Sequence, residues 1–126
     1  MIKVLLVDDH ELVRIGIESL LNAAEDISVV GVADSGEQAL LLTAQYQPDV
    51  ILMDLKMPGM GGVEACTQIL QAYPQVKIIG LSAYSDGLLP QQLLKLGAAG
   101  FLSKNSPLDE MVGAIKKVMD GKTYLC

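Results

Sequence analysis

The chain has 126 residues, enough for one domain with a single core, and 51% of them are apolar but only 4% aromatic, so aliphatic side chains must build that core. A net charge of −6, with nine scattered Lys and Arg residues, argues against a phosphate-tracking nucleic-acid surface on this segment. The two cysteines, Cys66 and Cys126, lie far apart without CxxC spacing, which argues against a disulfide framework or zinc site and fits a reduced, cytoplasmic setting.

The first apolar run, Ile2–Val7, stops at Asp8-Asp9 and is too short for a signal peptide or membrane span. Leu12, Ile15, Leu20 and Leu21 then form an apolar stripe at helical spacing, and Asp8 followed by Glu11 fits a capping box at its start. After a second run, Ile27–Val32, Ser35-Gly36-Glu37 opens a helix around Ala39, Leu40 and Leu42 that Gln47-Pro48 closes. Val50–Met53 is the third run. Gly61-Gly62 precede a third helix, which ends at Tyr73-Pro74. Val76–Leu81 is the fourth run. Pro90 is tolerated only in a first turn, so the fourth helix starts near Leu89 and stops at Gly97. After the fifth run, Gly100–Leu102, Ser106-Pro107 with Asp109 and Glu110 starts a fifth helix that Gly121 ends. Residues 1–121 thus read as one domain, and 122–126 as a frayed tail or the start of a linker.

The runs are continuous and rich in β-branched residues, as in parallel strands covered on both faces, and their alternation with helices implies an α/β, doubly wound, five-stranded parallel sheet with five helices. Ligands of such sheets bind beyond the carboxyl ends of the strands. Asp8-Asp9, Asp54, Ser82 and Lys104 lie there, placing three carboxylates, a hydroxyl and an ammonium on one edge. Two like charges about 4 Å apart repel by roughly 4 kcal/mol at an effective dielectric near 20, so the cluster needs a cation or a raised pKa. Hard oxygen ligands suit Mg²⁺, which bridges readily to phosphate. A carboxylate there can act as nucleophile toward a phosphoryl group, with Lys104 and Ser82 binding its oxygens. Each residue also has a plain role: Asp54 can start the turn through Met57-Pro58-Gly59, Ser82 can be a cap, and Lys104 a solvated charge. It is their coincidence at the strand ends that points to phosphoryl acceptance.

The segments Val4–His10, Met53–Gly59, Leu81-Ser82-Ala83 and Gly97–Lys104 resemble CheY-like response-regulator receiver domains over nearly the whole chain. Asp8–Ile17 further resembles the NarL/FixJ (LuxR-type) class, and Met53–Gly62 with Gly97–Lys104 the GacA/UvrY-type regulators. The resemblance implies a flavodoxin-like sheet of order 2-1-3-4-5 and Asp54 as phosphoacceptor. It implies a Mg²⁺ site of Asp8, Asp9, Asp54 and the Lys56 backbone carbonyl, with Ser82 as switch hydroxyl, Lys104 as phosphate-sensing cation and Phe101 as switch aromatic. It also implies a sensor histidine kinase as phosphodonor, a phosphorylation-dependent homodimer, and DNA binding only through a C-terminal helix-turn-helix absent from this chain.

Two positions depart from the usual pattern. Phe101 has no hydroxyl where Tyr is frequent, and Asn105 follows Lys104 where many relatives carry Pro, leaving the loop geometry open. Lys56 and Tyr84, each two residues past a site residue, are candidates for controlling attacking water. His10, the only histidine, has a phosphodonor or metal-binding role open to it, but beside a helix start it reads as a partly exposed polar residue. Leu88, Leu89 and Leu93 form an apolar group, a dimer face or core, with Leu93 assigned to core. Two rival readings have less support. A haloacid-dehalogenase-like phosphatase needs an acid where Lys56 stands, and a flavin-binding module needs a Gly- or Ser/Thr-rich loop after the first run.

Overall fold

A computed structural model describes residues 1–83 and 87–125. Strands β1 (Ile2–Val7), β2 (Ile27–Ala33), β3 (Val50–Asp54), β4 (Lys77–Ser82), β5 (Gly100–Ser103) and β6 (Tyr124–Leu125) form one parallel sheet of order β2-β1-β3-β4-β5-β6. The helices are α1 (Glu11–Asn22), α2 (Gly36–Tyr46), α3 (Gly62–Ala72), α4 (Leu89–Lys95) and α5 (Leu108–Met119).

Successive side chains of a strand point to opposite faces, and here both faces are apolar. Val4, Leu6, Val50, Leu52, Ile79, Leu81 and Leu102 pack with Ile17 and Leu21 of α1 and with Met111, Ala114, Ile115 and Val118 of α5. Leu5, Val7, Ile51, Met53 and Ile78 face the other way, against Ala39 of α2, Ala65, Cys66 and Ile69 of α3, and Leu93 of α4. Leu93 is therefore core, while Leu88 is exposed; Tyr84, Cys126 and the Leu89 side chain lie outside the described residues.

Two expectations are corrected, and the expected sheet carries one short strand more. The stripe on α1 is a different one: Leu12 is 86% exposed and Ile15 and Leu20 are exposed, whereas Ile17 and Leu21 are buried and Val13 and Ala24 pack against them. Residues 13, 17, 21 and 24 have helical spacing too, and spacing alone does not rank two apolar stripes on one helix. The capping box at Asp8 does not form. The N-cap of α1 is His10, and Asp8 Oδ1 instead accepts from the His10 amide at 2.8 Å. Finally, the sheet has six strands, because residues 124–125 are ordered as an edge strand rather than frayed. The Tyr124 amide donates to the Ala99 carbonyl (3.0 Å), and its hydroxyl donates to Glu110 Oε1 (2.8 Å). Lys117 Nζ also sits 5.6 Å from the Tyr124 ring centroid, within cation–π range.

Other local signals act as the residue types dictate. Ser35 caps α2 by accepting from the Gln38 amide at 3.1 Å. Asp109 and Glu110 lie in the first turn of α5 and Lys116 and Lys117 in its last, complementing the helix dipole.

Candidate functional site

The order β2-β1-β3 reverses the direction of winding at β1 and β3, and the crevice opens where those strands end. Val7 pairs in register with Met53, so one residue further on Asp8 stands beside Asp54. Asp54 in turn pairs with Leu81, which brings Ser82 to the same edge, and Ser82 pairs with Ser103. The Lys104 amide extends that ladder by donating to the Ser82 carbonyl at 2.9 Å. Four strand ends thereby deliver the acids, the hydroxyl and the lysine to one place.

Asp8 and Asp54 are fully buried, and Asp9 is partly exposed. Lys104 Nζ reaches Asp54 Oδ1 at 2.9 Å, and the same oxygen accepts from the Lys56 amide at 3.3 Å. Asp8 Oδ2, Asp9 Oδ1 and Asp54 Oδ2 are buried without a hydrogen-bond partner. Arg14 turns its guanidinium to the Asp8 backbone carbonyl (2.9 Å), not to the carboxylates. Lys104 is thus a fixed cation at Asp54.

The balance of forces appears in the titration of these groups. Burial pushes the Asp54 carboxyl up to about 6; Lys104 opposes that rise, while Asp8 and Asp9 add to it. Burial acts to lower the Lys104 ammonium, yet Asp54, then Asp8 and Asp9, hold it above its usual value. One lysine therefore falls short of compensating three acids.

Orphaned oxygens on three converging carboxylates fit a hard divalent cation. Mg²⁺ takes oxygen donors, uses few from protein and keeps the rest as water. Asp8, Asp9 and Asp54 are the side chains that would hold it.

The remaining expected residues are more dispersed. Ser82 is half-buried at the end of β4, and among the described residues no hydrogen bond joins its hydroxyl to Asp54. Phe101 lies within β5, half-buried, in register with Gly80 on one side and Leu125 on the other. The Lys104–Asn105 peptide is trans. Two further residues belong to the surroundings of the site. His10 is 61% exposed, yet its Nδ1 lies 3.2 Å from Asp8 Oδ1, 3.3 Å from Asp9 Oδ1 and 3.9 Å from Asp54 Oδ2. Its position directly after Asp8-Asp9 was the available signal. Glu37, from α2, holds the loop after Asp54 by accepting from the Met60 amide at 2.9 Å; a contact across 23 residues leaves no local trace.

Comparison with known proteins agrees with this geometry. Residues 4–116 match the response regulator receiver domain family. The chain belongs to that family. It is 46% identical over 125 residues to the response regulator GacA of Pseudomonas aeruginosa PAO1, covering 99% of this chain and 58% of that protein. It is equally identical to UvrY of Escherichia coli K12, covering 99% of this chain and 57% of that one. This receiver domain thus spans less than two thirds of the length of those relatives. Among solved structures it is similar to a LuxR-family two-component response regulator from Aurantimonas sp. SI85-9A1 (TM-score 0.90, 31% identity, 98% of this chain and 88% of that one). It is also similar to the receiver domain of NarL from Mycobacterium tuberculosis (TM-score 0.88, 36% identity, 96% and 98%). The fold is flavodoxin-like, as expected, with one short strand added.

Proposed function

We infer that this receiver domain accepts a phosphoryl group on Asp54 from the phosphohistidine of a sensor histidine kinase, and that the modification switches its surface. The observation that carries the reading is Asp54 itself: fully buried, 2.9 Å from a lysine, and with one oxygen left without a partner. In the transfer an Asp54 oxygen forms the new P–O bond as the P–N bond of the donor breaks, and the donor imidazole leaves with the electron pair. Asp8, Asp9, Asp54 and the Lys56 backbone carbonyl would hold Mg²⁺, which when bound would neutralise charge on the transferred group. Lys104, now paired with Asp54, is placed to follow charge onto a phosphoryl oxygen. Ser82, at the neighbouring strand end, supplies a hydroxyl to another. Because the Lys104 amide is tied to the Ser82 carbonyl, movement of either residue draws on both loops.

Phosphorylation adds about −1.5 to −2 charges and three acceptor oxygens to a pocket already rich in anions. The response we propose passes through β5, where Phe101 is the switch aromatic, to the surface of α4, β5 and α5, and there controls homodimerisation or an output domain. Transcriptional control through a DNA-binding segment outside this chain follows the relatives, and a cytoplasmic location follows the proposed kinase. Among the described residues no helix is long and apolar enough to cross a membrane.

The test is the intact mass of the protein after incubation with acetyl phosphate, with and without Mg²⁺, beside Asp54→Ala. A single phosphoryl adduct on wild type, only with Mg²⁺ and absent from the variant, is expected. Equal adduct on the variant would move the acceptor elsewhere, and no adduct on wild type would overturn the reading.

A further inference from the structure

We propose that His10 is a fourth protein donor of the acidic pocket, so that the site takes a first-row transition cation in preference to Mg²⁺. The inference rests on the reading of Asp8, Asp9 and Asp54 as cation ligands and goes beyond it by adding a nitrogen. One ligand atom from each of Asp8, Asp9, His10 and Asp54 lies within 4.8 Å of all the others. The spacings from His10 Nδ1 to Asp8 Oδ1 and Asp9 Oδ1, 3.2 and 3.3 Å, match the edge of a coordination polyhedron. With metal–ligand bonds of about 2.0–2.2 Å, neighbouring donors stand roughly 3.0–3.5 Å apart. Asp54 Oδ2, at 3.9 Å from His10 Nδ1, must close in.

A second observation turns this cluster into a site. Asp8 and Asp54 are both fully buried and each carries an oxygen without a hydrogen-bond partner, that of Asp54 lying 3.9 Å from His10 Nδ1. The His10 ring is not free to drift from it. Its amide donates to Asp8 Oδ1 at 2.8 Å, and its carbonyl accepts from the Arg14 amide at 2.9 Å as α1 begins, so the backbone that carries the ring is fixed at both ends. The ring's exposure leaves the outer side of the site open to water and to a phosphoryl donor.

The donor set decides the metal. Carboxylate, carbonyl and water oxygens suit Mg²⁺, which gains little from an imidazole, whereas affinity for nitrogen-containing sites rises from Mn²⁺ through Co²⁺ to Ni²⁺. His10 therefore discriminates between cations without being needed for the weaker, all-oxygen binding of Mg²⁺. A hydrogen bond from His10 Nδ1–H to Asp8 is the competing role for the same geometry. It predicts that removing the ring affects every cation alike.

The experiment is calorimetric titration of the tag-free chain with Mg²⁺, Mn²⁺, Co²⁺ and Ni²⁺, together with the visible absorbance of bound Co²⁺. It is run on wild type, His10→Ala, His10→Gln and Asp9→Asn. Expected are a loss of roughly tenfold or more in Ni²⁺ and Co²⁺ affinity in both His10 variants and a changed Co²⁺ spectrum, with Mg²⁺ affinity within about twofold of wild type. Asp9→Asn should weaken all four cations. Unchanged Ni²⁺ affinity in the His10 variants, or an equal fall for Mg²⁺ and Ni²⁺, overturns the assignment of His10 while leaving the acidic site intact. Wild type that binds none of the cations overturns the cation site itself, and the proposed phosphoacceptor chemistry with it.

Discussion

At Asp54 the fold holds a charge that water would hold better. Its carboxyl titrates near 6 where an unfolded chain would titrate near 3.8, so the folded state binds the extra proton between those values. Stability from this group is fully present below pH 4 and is lost as pH rises through 6. In chelator-treated buffer at pH 7.5, Asp54→Asn should therefore be more stable than wild type by about 2–3 kcal/mol in urea unfolding, with the gap narrowing as pH falls through 6. A less stable variant would mean that the pairing with Lys104 outweighs the cost of burial. Burial acts in the same direction on Cys66 of α3, which is fully buried and whose thiol is pushed up to about 12. Peptide mapping after treatment with iodoacetamide at pH 8 should find Cys66 unmodified in the native protein and modified once urea unfolds it. The acids and Lys104 were legible as a group because each ends an apolar run, and a strand end is a place that a sequence can mark. Asp8's part at the start of α1 was not legible. Which amide a carboxylate takes depends on where the backbone turns, and here the amide of His10 lies nearer than that of a helical residue.

Close approach governs the elements in two places where a side chain has no room. A Cβ on Gly62 would strike the Asp54 carbonyl and the Leu55 backbone, so α3 can begin directly beneath the loop after Asp54 only with glycine there. On Gly100 it would strike the Tyr124 carbonyl, so β6 can lie against β5 only while that position stays bare. Gly100→Ala should release residues 124–125, seen as loss of amide protection at Tyr124 in hydrogen exchange, and cost roughly 1–3 kcal/mol. Phosphoryl uptake on Asp54 should persist. Retained protection at Tyr124 would show that the hydroxyl bond to Glu110 and the stacked Lys117 hold the strand by themselves. The first five strands and all the helices could be read from runs, caps and breakers, since each is long enough to carry a pattern. β6 could not, because two residues after Gly121 have no periodicity and its pairing is decided by the edge it meets. The stripe on α1 failed for another reason, as two apolar faces shared the helix and only docking on the sheet chose between them.

For the molecule as a whole, a sheet covered on both faces supplies rigidity, while the pocket at its edge subtracts from stability. Cation binding should return some of that loss. A ligand at one hundred times its dissociation constant stabilises by about 2.7 kcal/mol, so saturating Mg²⁺ should raise the Tm of wild type by several degrees and that of Asp9→Asn by much less. An equal rise in both would place the bound ion away from this pocket. The doubly wound architecture was open to sequence reasoning because continuous apolar strands admit few arrangements; the pocket's charge balance was not, since it depends on distances between strand ends. The origin of those ends along the chain has a consequence for biosynthesis. Asp8, Asp9 and Asp54 all precede Lys104, Asp54 by 50 residues. On the ribosome β1 and β3 emerge before Lys104, the partner of Asp54, has been translated, and the acids repel each other as those strands try to pair. A divalent ion captured by the nascent chain would relieve that repulsion, so the ion proposed for signalling would also serve as an early folding partner, before the receiver domain has anything to receive.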